Sequence, residues 1–193
     1  ITQDKNKIVL TKKLVSSNPN EIEKFYLESL KQGNEGIMIK SFGSKYIPGR
    51  KVGGWVKIKP IIETLDLIIT AAEWGEGKRA NWLSSFTVSC KYEDRYLEIG
   101  KVGTGFLEDE SELSFSNLTN ILRPNIISQN GKKVKLKPKI ILEIAYEEIQ
   151  KSPNYNSKYA LRFPRALRLR NDLGPNDVDN IKRINKFFKE YKK

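Results

Sequence analysis

The chain has 193 residues, and its 35 lysines and arginines outnumber its 23 aspartates and glutamates to give a net charge of +12. It contains no histidine and a single cysteine, Cys90, which excludes Ser-His-Asp and Cys-His catalysis, zinc sites of the Cys/His type and an internal disulfide. Any chemistry must therefore rest on carboxylates, lysines, arginines and a hard metal ion.

The same composition narrows the class of protein and of partner. With 38% hydrophobic residues, the chain can bury one substantial core, or a medium domain and part of another. Nucleic acid is the leading partner class, since each cation near a phosphate releases counterions. No apolar run reaches the roughly 18 residues of a membrane span, so we expect no membrane partner. A single cysteine, which allows no internal disulfide, leads us to expect an intracellular, reducing location. Because Ile1 is not methionine, we expect a piece of a longer protein.

The first 60 residues predict a helix flanked by strands. A short strand is expected at residues 8–16. Asn18 is suited to cap a helix, Pro19 to its first position and Gly33 to its end, which predicts a helix from Pro19 to about residue 32. Two strands follow, at residues 35–40 and 55–60, on either side of a loop rich in glycine and lysine. Pro60 marks a domain boundary.

After Pro60 the sequence predicts a β-rich domain with strands near residues 64–74, 84–102, 134–150 and 159–170. A helix is expected at 108–122, and a terminal amphipathic helix at 176–191. About five strands with one inserted helix, together with the basic charge, are typical of a small Greek-key barrel of the oligonucleotide-binding (OB) type.

Strand alternation in residues 55–59 places Lys57 and Lys59 on one face with Trp55. Two ammonium groups that point into one space can neutralise a phosphate whose bridging bond is breaking. The other interpretation is a strand edge with two solvated lysines. On the strand at 35–40, Met38 and Lys40 share a face, while Glu35 lies at the strand mouth beside flexible Gly36. Glu35 is either a ligand for Mg²⁺ bound with phosphate or an ordinary surface glutamate.

Four arginines lie within nine positions near the end of the chain. Planar guanidinium groups match phosphate oxygens in pairs, which favours a phosphate-binding role for this segment. Leu167 and Leu169 alternate with Arg168 and Arg170, the pattern of a strand with one buried and one basic face. A merely solvated basic face is the alternative. The cations concerned are Arg162, Arg165, Arg168 and Arg170.

Taken in order, three segments resemble motifs IV, V and VI of ATP-dependent DNA ligases: Glu-Gly-Ile-Met-Ile-Lys at 35–40, Trp-Val-Lys-Ile-Lys-Pro at 55–60, and Arg-Phe-Pro-Arg through Asp172 at 162–172. The resemblance extends to stretches at 75–79, 100–106 and 143–153. It implies an α+β, mainly β fold, in which residues 1–60 end an adenylation (nucleotidyltransferase) domain. Residues 61–193 would then form an OB-fold β-barrel domain with a C-terminal helix.

The resemblance also implies roles for single residues. Glu35 would help to hold the metal, Met38 would pack on the adenine, and Lys57 and Lys59 would contact the nucleotide phosphate, with Lys40 also at the nucleotide. The arginines of the last motif, together with its aspartate, would approach the ATP pyrophosphate. The residues concerned in that motif are Arg162, Arg165, Arg168, Arg170 and Asp172.

By the same resemblance the whole protein would use ATP and Mg²⁺ to seal nicks in duplex DNA through enzyme-AMP and DNA-adenylate intermediates. It would act as a monomer in repair, replication and recombination, in the cytoplasm or nucleoid, or in the nucleus of a eukaryote. The chain has no Lys-x-Asp-Gly sequence for the nucleophilic lysine, so we expect inactivity without the upstream part of the same ligase. Leu173 stands where the family usually has lysine, which puts the ATP-dependent first step in question.

Two alternatives remain open at this point. One is an RNA ligase or capping-type nucleotidyltransferase, against which the Arg-Phe-Pro-Arg segment argues. The other is a non-catalytic OB-fold module that binds nucleic acid through aromatic stacking and basic residues. A Lys-x-Asp-Gly sequence at a suitable distance upstream would favour the enzyme over the binding module.

Overall fold

The computed structural model describes residues 10–45, 47–48, 54–60, 63–108 and 111–190. By their internal contacts the residues divide into two compact units, Ile1–Ile61 and Ile62–Lys193. Among the described residues, no helix is both long and apolar enough to cross a membrane.

In the first unit, helix α1 spans Pro19–Lys31, as the sequence predicts. The Asn18 side chain accepts a hydrogen bond from the Asn20 N–H at 3.0 Å, and Gly33 follows the helix with φ +80°. These are the cap and stop that the sequence indicates. The expected strand at 8–16 is wrong for residues 10–16, which form no strand, while residues 8 and 9 lie outside the described part.

The described part of the first unit also contains two antiparallel strands: β1, Ile37–Lys40, and β2, Trp55–Ile58. Both lie within the predicted strand segments. Their register pairs Met38 with Lys57 and Lys40 with Trp55. Because directly paired residues project to the same face of a ladder, these four side chains share one face.

The second unit is mainly β, and its described residues include two further helices, α2 at Phe115–Leu122 and α3 at Ile181–Glu190. Its strands are β3 Leu65–Trp74, β4 Leu83–Tyr92, β5 Arg95–Val102, β6 Ile126–Asn130, β7 Lys133–Leu136, β8 Ile141–Ala145, β9 Glu148–Lys151, β10 Tyr159–Arg162 and β11 Arg165–Leu169. Short 3₁₀ turns occupy Gly77–Arg79 and Arg123–Asn125. The mainly β architecture agrees with the sequence prediction.

The strands curl into the OB-type barrel. The sheet order is β11-β8-β3-β4-β5, with β7 pairing the far end of β3 and β6 pairing β7. β9 and β10 form a separate antiparallel pair. After β5 the chain returns to β11, where the Ala166 N–H donates to the Thr104 carbonyl oxygen at 3.0 Å. This contact joins the two ends of the strand order, and α2 lies between the third and fourth barrel segments of the chain.

Helix α2 packs against the barrel core. Phe106 links Phe86 of β4 to Phe115 of α2, with ring centroids 4.9 and 5.2 Å apart. The buried Thr119 hydroxyl accepts a hydrogen bond from the Leu83 N–H at 2.9 Å and donates to the Phe115 carbonyl oxygen. The helix is therefore fixed both by apolar packing and by a buried polar contact.

Several predicted boundaries are corrected. The helix expected from residue 108 begins at Phe115, because Ser114 accepts from the Asn117 N–H and bridges to Leu107. The terminal helix, expected from 176, begins at Ile181, since the preceding residues bond to strands. The segment 134–150 is three strands and not one. Pro138, which lacks an N–H, falls in the first break.

Cys90 lies on β4 and is fully buried in the core of the second unit. Desolvation in this apolar environment raises the pKa of its thiol to about 12. Since the thiolate is the reactive form, Cys90 is an inert core residue.

Candidate functional site

One face of the β1–β2 hairpin is cationic. The Lys40 Nζ lies 3.9 Å from the centroid of the Trp55 ring, a cation–π contact across the two strands. Beside it, Met38 is 51% exposed and lies opposite Lys57. The hairpin thus presents an apolar side chain and an aromatic ring among lysines, on a surface open to a ligand.

Glu35 lies close to both lysines predicted for this site, Lys57 on β2 and Lys59 just after it. Its Oε2 lies 2.7 Å from the Lys57 Nζ and 3.7 Å from the Lys59 Nζ. The structure therefore brings together the three residues that the sequence singled out here. The Glu35 side chain is 70% exposed, so this ion-pair cluster contributes little to stability. Its cations face solvent, where an anion can reach them.

The position of Glu35 depends on Gly36. Gly36 has φ +144°, and a Cβ there would stand 2.0 Å from the Ile58 carbonyl oxygen. The Ser29 hydroxyl of α1 donates to the Gly36 carbonyl oxygen at 2.8 Å. Only glycine allows this approach of the two strands. Helix α1 and strand β2 together hold the backbone from which the Glu35 carboxylate reaches the lysines.

Glu35 is the carboxylate that the sequence suggests as a metal ligand. Within the described ranges, no group of three or more histidine, cysteine, aspartate or glutamate side chains is placed to hold a metal ion. A single carboxylate is nevertheless what Mg²⁺ takes from a protein when phosphate oxygens and waters supply its other ligands. The donor set at Glu35 fits a phosphate-borne Mg²⁺ and does not fit a cage built from protein alone.

The arginine segment departs from the expected alternation. Strand β11 pairs with β8 through Ala166–Ile144 and Arg168–Glu143, with a register shift between the two pairs. A bulge of this kind places two consecutive residues on the same side. Leu167 is therefore 46% exposed, and the prediction that it is buried is wrong. Leu169 is buried, as expected.

Arg162 and Arg165 lie on either side of the turn between β10 and β11. Arg162 Nη1 lies 3.5 Å from Glu148 Oε2, and its guanidinium carbon is 5.3 Å from the centroid of the Phe163 ring. Phe163 is 66% exposed and has φ +48°, a left-handed backbone conformation that is energetically unfavourable for phenylalanine. Arg165 is exposed opposite Ala145 of β8. Both guanidinium groups are accessible to an anion.

Arg168 is exposed, but the Nε edge of its guanidinium group is held by Glu143. Its Nε donates to Glu143 Oε2, while Thr64 Oγ1 donates to the other oxygen of Glu143 at 2.7 Å. These hydrogen bonds, first from Thr64 and then from Arg168, hold the pKa of Glu143 below its usual range. The Arg168 side chain is 62% exposed, so its outer nitrogens remain accessible.

Arg170 is enclosed, with a side chain only 14% exposed. Its Nη1 donates to Asp66 Oδ1 at 2.7 Å, and its Nε and Nη2 bind the two oxygens of Asp172 at 2.9 and 2.8 Å. The bidentate hydrogen bonds from Arg170 lower the pKa of Asp172 to about 2. The four arginines therefore do not form one equivalent basic face.

Sequence reasoning missed the carboxylates Asp66 and Glu143. Each lies between buried apolar neighbours on its strand, in Leu-Asp-Leu of β3 and Leu-Glu-Ile of β8. A charged residue at an outward position of a core strand is a detectable signal. Its arginine partner is not detectable, because Asp66 and Arg170 are 104 residues apart.

An open cleft of about 460 Å³ runs along β11. Leu167, Arg165 and Arg168 line it from the strand, and Leu107 and Glu112 line it from the segment before α2. Two guanidinium groups thus border a partly apolar groove on the barrel surface.

Two family models match the chain in turn. The model described as ATP dependent DNA ligase domain matches residues 1–59, and the model described as ATP dependent DNA ligase C terminal region matches residues 79–173. The first match contains the Glu35 cluster, and the second contains the four arginines.

Curated relatives agree with these matches. The DNA ligase of Nanoarchaeum equitans is 48% identical over 193 residues, which cover 97% of this chain and 34% of that protein. The DNA ligase of Archaeoglobus fulgidus is 47% identical over 188 residues, which cover 96% and 33%. The chain spans about a third of the length of the curated relatives it matches.

Solved structures show the same fold. The ligase domain from M. tuberculosis LigD matches with a TM-score of 0.51 and 26% identity, over 81% of this chain and 50% of that one. The structure titled Pmar-Lig_PreS3 matches in fold with a TM-score of 0.55 and 22% identity, over 78% and 30%. Two consecutive family models and relatives identical at nearly half of the positions lead to one conclusion: the chain belongs to the ATP-dependent DNA ligase family.

Proposed function

We propose that this chain acts as part of an ATP-dependent DNA ligase that seals nicks in duplex DNA through enzyme-AMP and DNA-adenylate intermediates. The observation that carries the proposal is the meeting of Glu35 with Lys57 and Lys59, in a chain 48% identical to a DNA ligase over nearly its whole length. Residues 1–60 would end the adenylation domain, and 61–193 would be its OB-fold partner domain.

The hairpin of the first unit would bind the nucleotide. Lys57 and Lys59 would stabilise the negative charge that develops on the α-phosphate as its bond to pyrophosphate breaks. Met38 is half-exposed on the same face and is suited to pack on the adenine, while Lys40 would stay near the nucleotide through its contact with Trp55.

Glu35 would hold Mg²⁺ together with phosphate oxygens and waters. When bound, the ion would polarise the phosphoryl group under attack and neutralise part of its charge. The Glu35 carboxylate at present accepts from Lys57 at 2.7 Å, so metal and lysines would be held within a few ångströms of the same phosphate.

The second unit would supply guanidinium groups to the ATP pyrophosphate. Arg162, Arg165 and Arg168 are all exposed, and each keeps nitrogens available for paired contacts with phosphate oxygens. Arg170 and Asp172 belong to the same segment but are bonded to one another. Nothing in this step requires a histidine, in keeping with a chain that has none.

The proposed partners follow from this chemistry. They are ATP, Mg²⁺, nicked duplex DNA and the upstream part of the same ligase, which would carry the nucleophilic lysine. The protein would act as a monomer inside the cell, where DNA repair, replication and recombination produce nicks. The chain by itself would form no enzyme-AMP, since it contains no Lys-x-Asp-Gly sequence. The names of the relatives favour DNA ligase over an RNA ligase or a capping enzyme.

A chimera tests the proposal. This chain would replace the matching third of the Nanoarchaeum equitans DNA ligase, and the chimera and the isolated chain would each receive labelled ATP and Mg²⁺, then nicked duplex DNA. We expect covalent label and sealed product with the chimera and neither with the chain. A folded chimera that binds nicked DNA but takes up no label would instead support the non-catalytic binding module.

A further inference from the structure

Three arginines secure the first described residues of the second unit. Arg183 of α3 pairs with Glu63 at 3.2 Å. Arg170 pairs with Asp66 at 2.7 Å. Arg168 reaches the same segment indirectly, since its partner Glu143 accepts a hydrogen bond from Thr64, which lies between Glu63 and Asp66. Residues 63–66 are thus fastened to β8, β11 and α3 by charged groups.

Arg170 differs from Arg168 in how its guanidinium group is used. Arg170 makes three hydrogen bonds to two carboxylates, with 14% of the side chain exposed. Arg168 is 62% exposed and binds Glu143 through Nε alone. With two carboxylates against it and 14% of its side chain exposed, Arg170 offers a phosphate far less surface than Arg168, whose outer nitrogens face solvent. Although they lie two residues apart, Arg168 is accessible to a phosphate and Arg170 is largely enclosed by carboxylates.

Asp66 is also hydrogen-bonded to Asp179, which lies just before α3. The Asp66 N–H donates to Asp179 Oδ2 at 2.9 Å, and the Asp179 N–H donates back to the Asp66 carbonyl oxygen at 2.9 Å. The other oxygen of Asp179 lies 3.1 Å from Arg183. Asn180, the next residue, accepts from the first N–H groups of α3. Arg170 therefore lies where the start of β3, the end of β11 and the start of α3 meet.

We propose that Arg170 is a positioning residue, which fixes residues 63–66 and the start of α3 to the end of β11, and that phosphate binding on this strand falls to Arg165 and Arg168. The assignment of phosphate binding rests on the proposed function. The positioning role rests on the contacts of Arg170 alone and is independent of ligase activity.

The first experiment uses the 193-residue chain with inorganic pyrophosphate as the probe. Pyrophosphate affinity and amide hydrogen exchange are measured for wild type, Arg170→Gln and the matched variant Arg168→Gln. We expect Arg170→Gln to speed exchange at the Asp66 and Asp179 amides by about tenfold or more, with less than about a twofold change in affinity. Arg168→Gln should lower the affinity at least about threefold and leave both amides protected.

Asp66→Asn gives opposite results under the two roles, and it also decides the matter if Arg170→Gln fails to fold. If Arg170 positions the segment, loss of the negative charge at residue 66 weakens its hydrogen bond to Arg170, speeds exchange at Asp179 and leaves pyrophosphate affinity unchanged. If Arg170 binds phosphate, Asp66→Asn frees the guanidinium and raises the affinity, which would overturn the proposal. Arg170→Lys keeps the positive charge but cannot make the three hydrogen bonds of the guanidinium group, so we expect fast exchange at the Asp66 and Asp179 amides. Exchange as slow as in wild type would contradict a positioning role that depends on these hydrogen bonds.

The chimera adds a kinetic measurement. A positioning role predicts that Arg170→Gln lowers the rate of adenylation at saturating ATP with the KM for ATP changed less than about twofold, while Arg168→Gln raises that KM. A raised KM with Arg170→Gln and unchanged exchange would refute the positioning role. If wild type binds no pyrophosphate and the chimera is inactive, the proposed function fails, and hydrogen exchange alone then decides the role of Arg170.

Discussion

Gly105 lies so close to Ala166 that a Cβ at residue 105 would stand 2.0 Å from the Ala166 carbonyl oxygen. Gly105 also has φ +94°, which L side chains rarely adopt. The neighbouring Thr104 accepts the Ala166 N–H and donates from its hydroxyl to the Pro164 carbonyl oxygen at 2.9 Å. Backbone contact here closes the barrel and fixes the strand that carries the arginines.

Gly105→Ala should therefore destabilise the chain strongly. The new Cβ meets backbone atoms that cannot move without opening the barrel, so we expect a loss of more than about 2 kcal/mol in the free energy of unfolding. Gly131→Ala is the matched control: its φ of +58° is also left-handed, but nothing lies within 4 Å. It should cost only about 1 kcal/mol. Urea unfolding followed by tryptophan fluorescence measures both, and equal losses would contradict the prediction.

Thr119 tests the docking of α2. Thr119→Val keeps the shape of the side chain but removes the hydroxyl that accepts from the buried Leu83 N–H. An unsatisfied buried N–H costs about 1–3 kcal/mol, and we expect that loss in urea unfolding. Thr119→Ser retains the hydroxyl and should recover most of the stability. If valine and serine are equally tolerated, the hydrogen bond does not fix the helix.

Glu35→Gln tests the ion-pair cluster. In the chimera we expect adenylation to slow by about tenfold or more, because the carboxylate proposed to hold Mg²⁺ beside Lys57 and Lys59 is lost. The free energy of unfolding should change by less than about 0.5 kcal/mol, since the pair is exposed. Glu28→Gln breaks another exposed pair of the same unit, with Lys12 at 3.4 Å, and should leave adenylation intact. Equal rates for the two variants would remove Glu35 from the site.

Asp172 should make stability depend on acid pH. The hydrogen bonds from Arg170 lower its pKa to about 2 from the ordinary 3.8, so the unfolded chain takes up a proton first as the pH falls. The stabilisation by Asp172 is then fully present above about pH 4 and lost as the pH falls towards about 2. The urea midpoints of wild type and Asp172→Asn should converge over that range. In an Arg170→Gln background, the convergence should disappear.

Local signals in the sequence were sufficient for α1 and the hairpin. Asn18, Pro19 and Gly33 act on their own neighbours in the chain, so a helix from Pro19 to Lys31 follows from them alone. Alternation in β1 and β2 likewise predicts that Lys57 shares a face with Lys59 and that Glu35 lies at the strand mouth. The ion pairs at Glu35 join residues 22 and 24 positions away, yet one hairpin is enough to bring them together.

Contacts between distant segments account for what the sequence could not predict. The bulge that exposes Leu167 depends on the pairing of β11 with β8. The alternation of apolar and charged residues in the sequence does not indicate a bulge at this position. Residues 176–179 have helical periodicity, but the Lys91 N–H donates to the Asp179 carbonyl oxygen and keeps that segment against β4. The enclosure of Arg170 likewise depends on Asp66, across most of the second unit.

The burial of Cys90 makes this chain convenient for fluorescence. With its one thiol inert, a cysteine introduced on the surface would be the sole site for a maleimide dye. Exposed Glu23 on α1 and exposed Ser128 on β6 are suitable positions, one in each unit. With one cysteine introduced in each unit, the 193-residue chain would then report the distance between the two units, molecule by molecule, as nicked DNA is added, without any need to replace a native residue of the core.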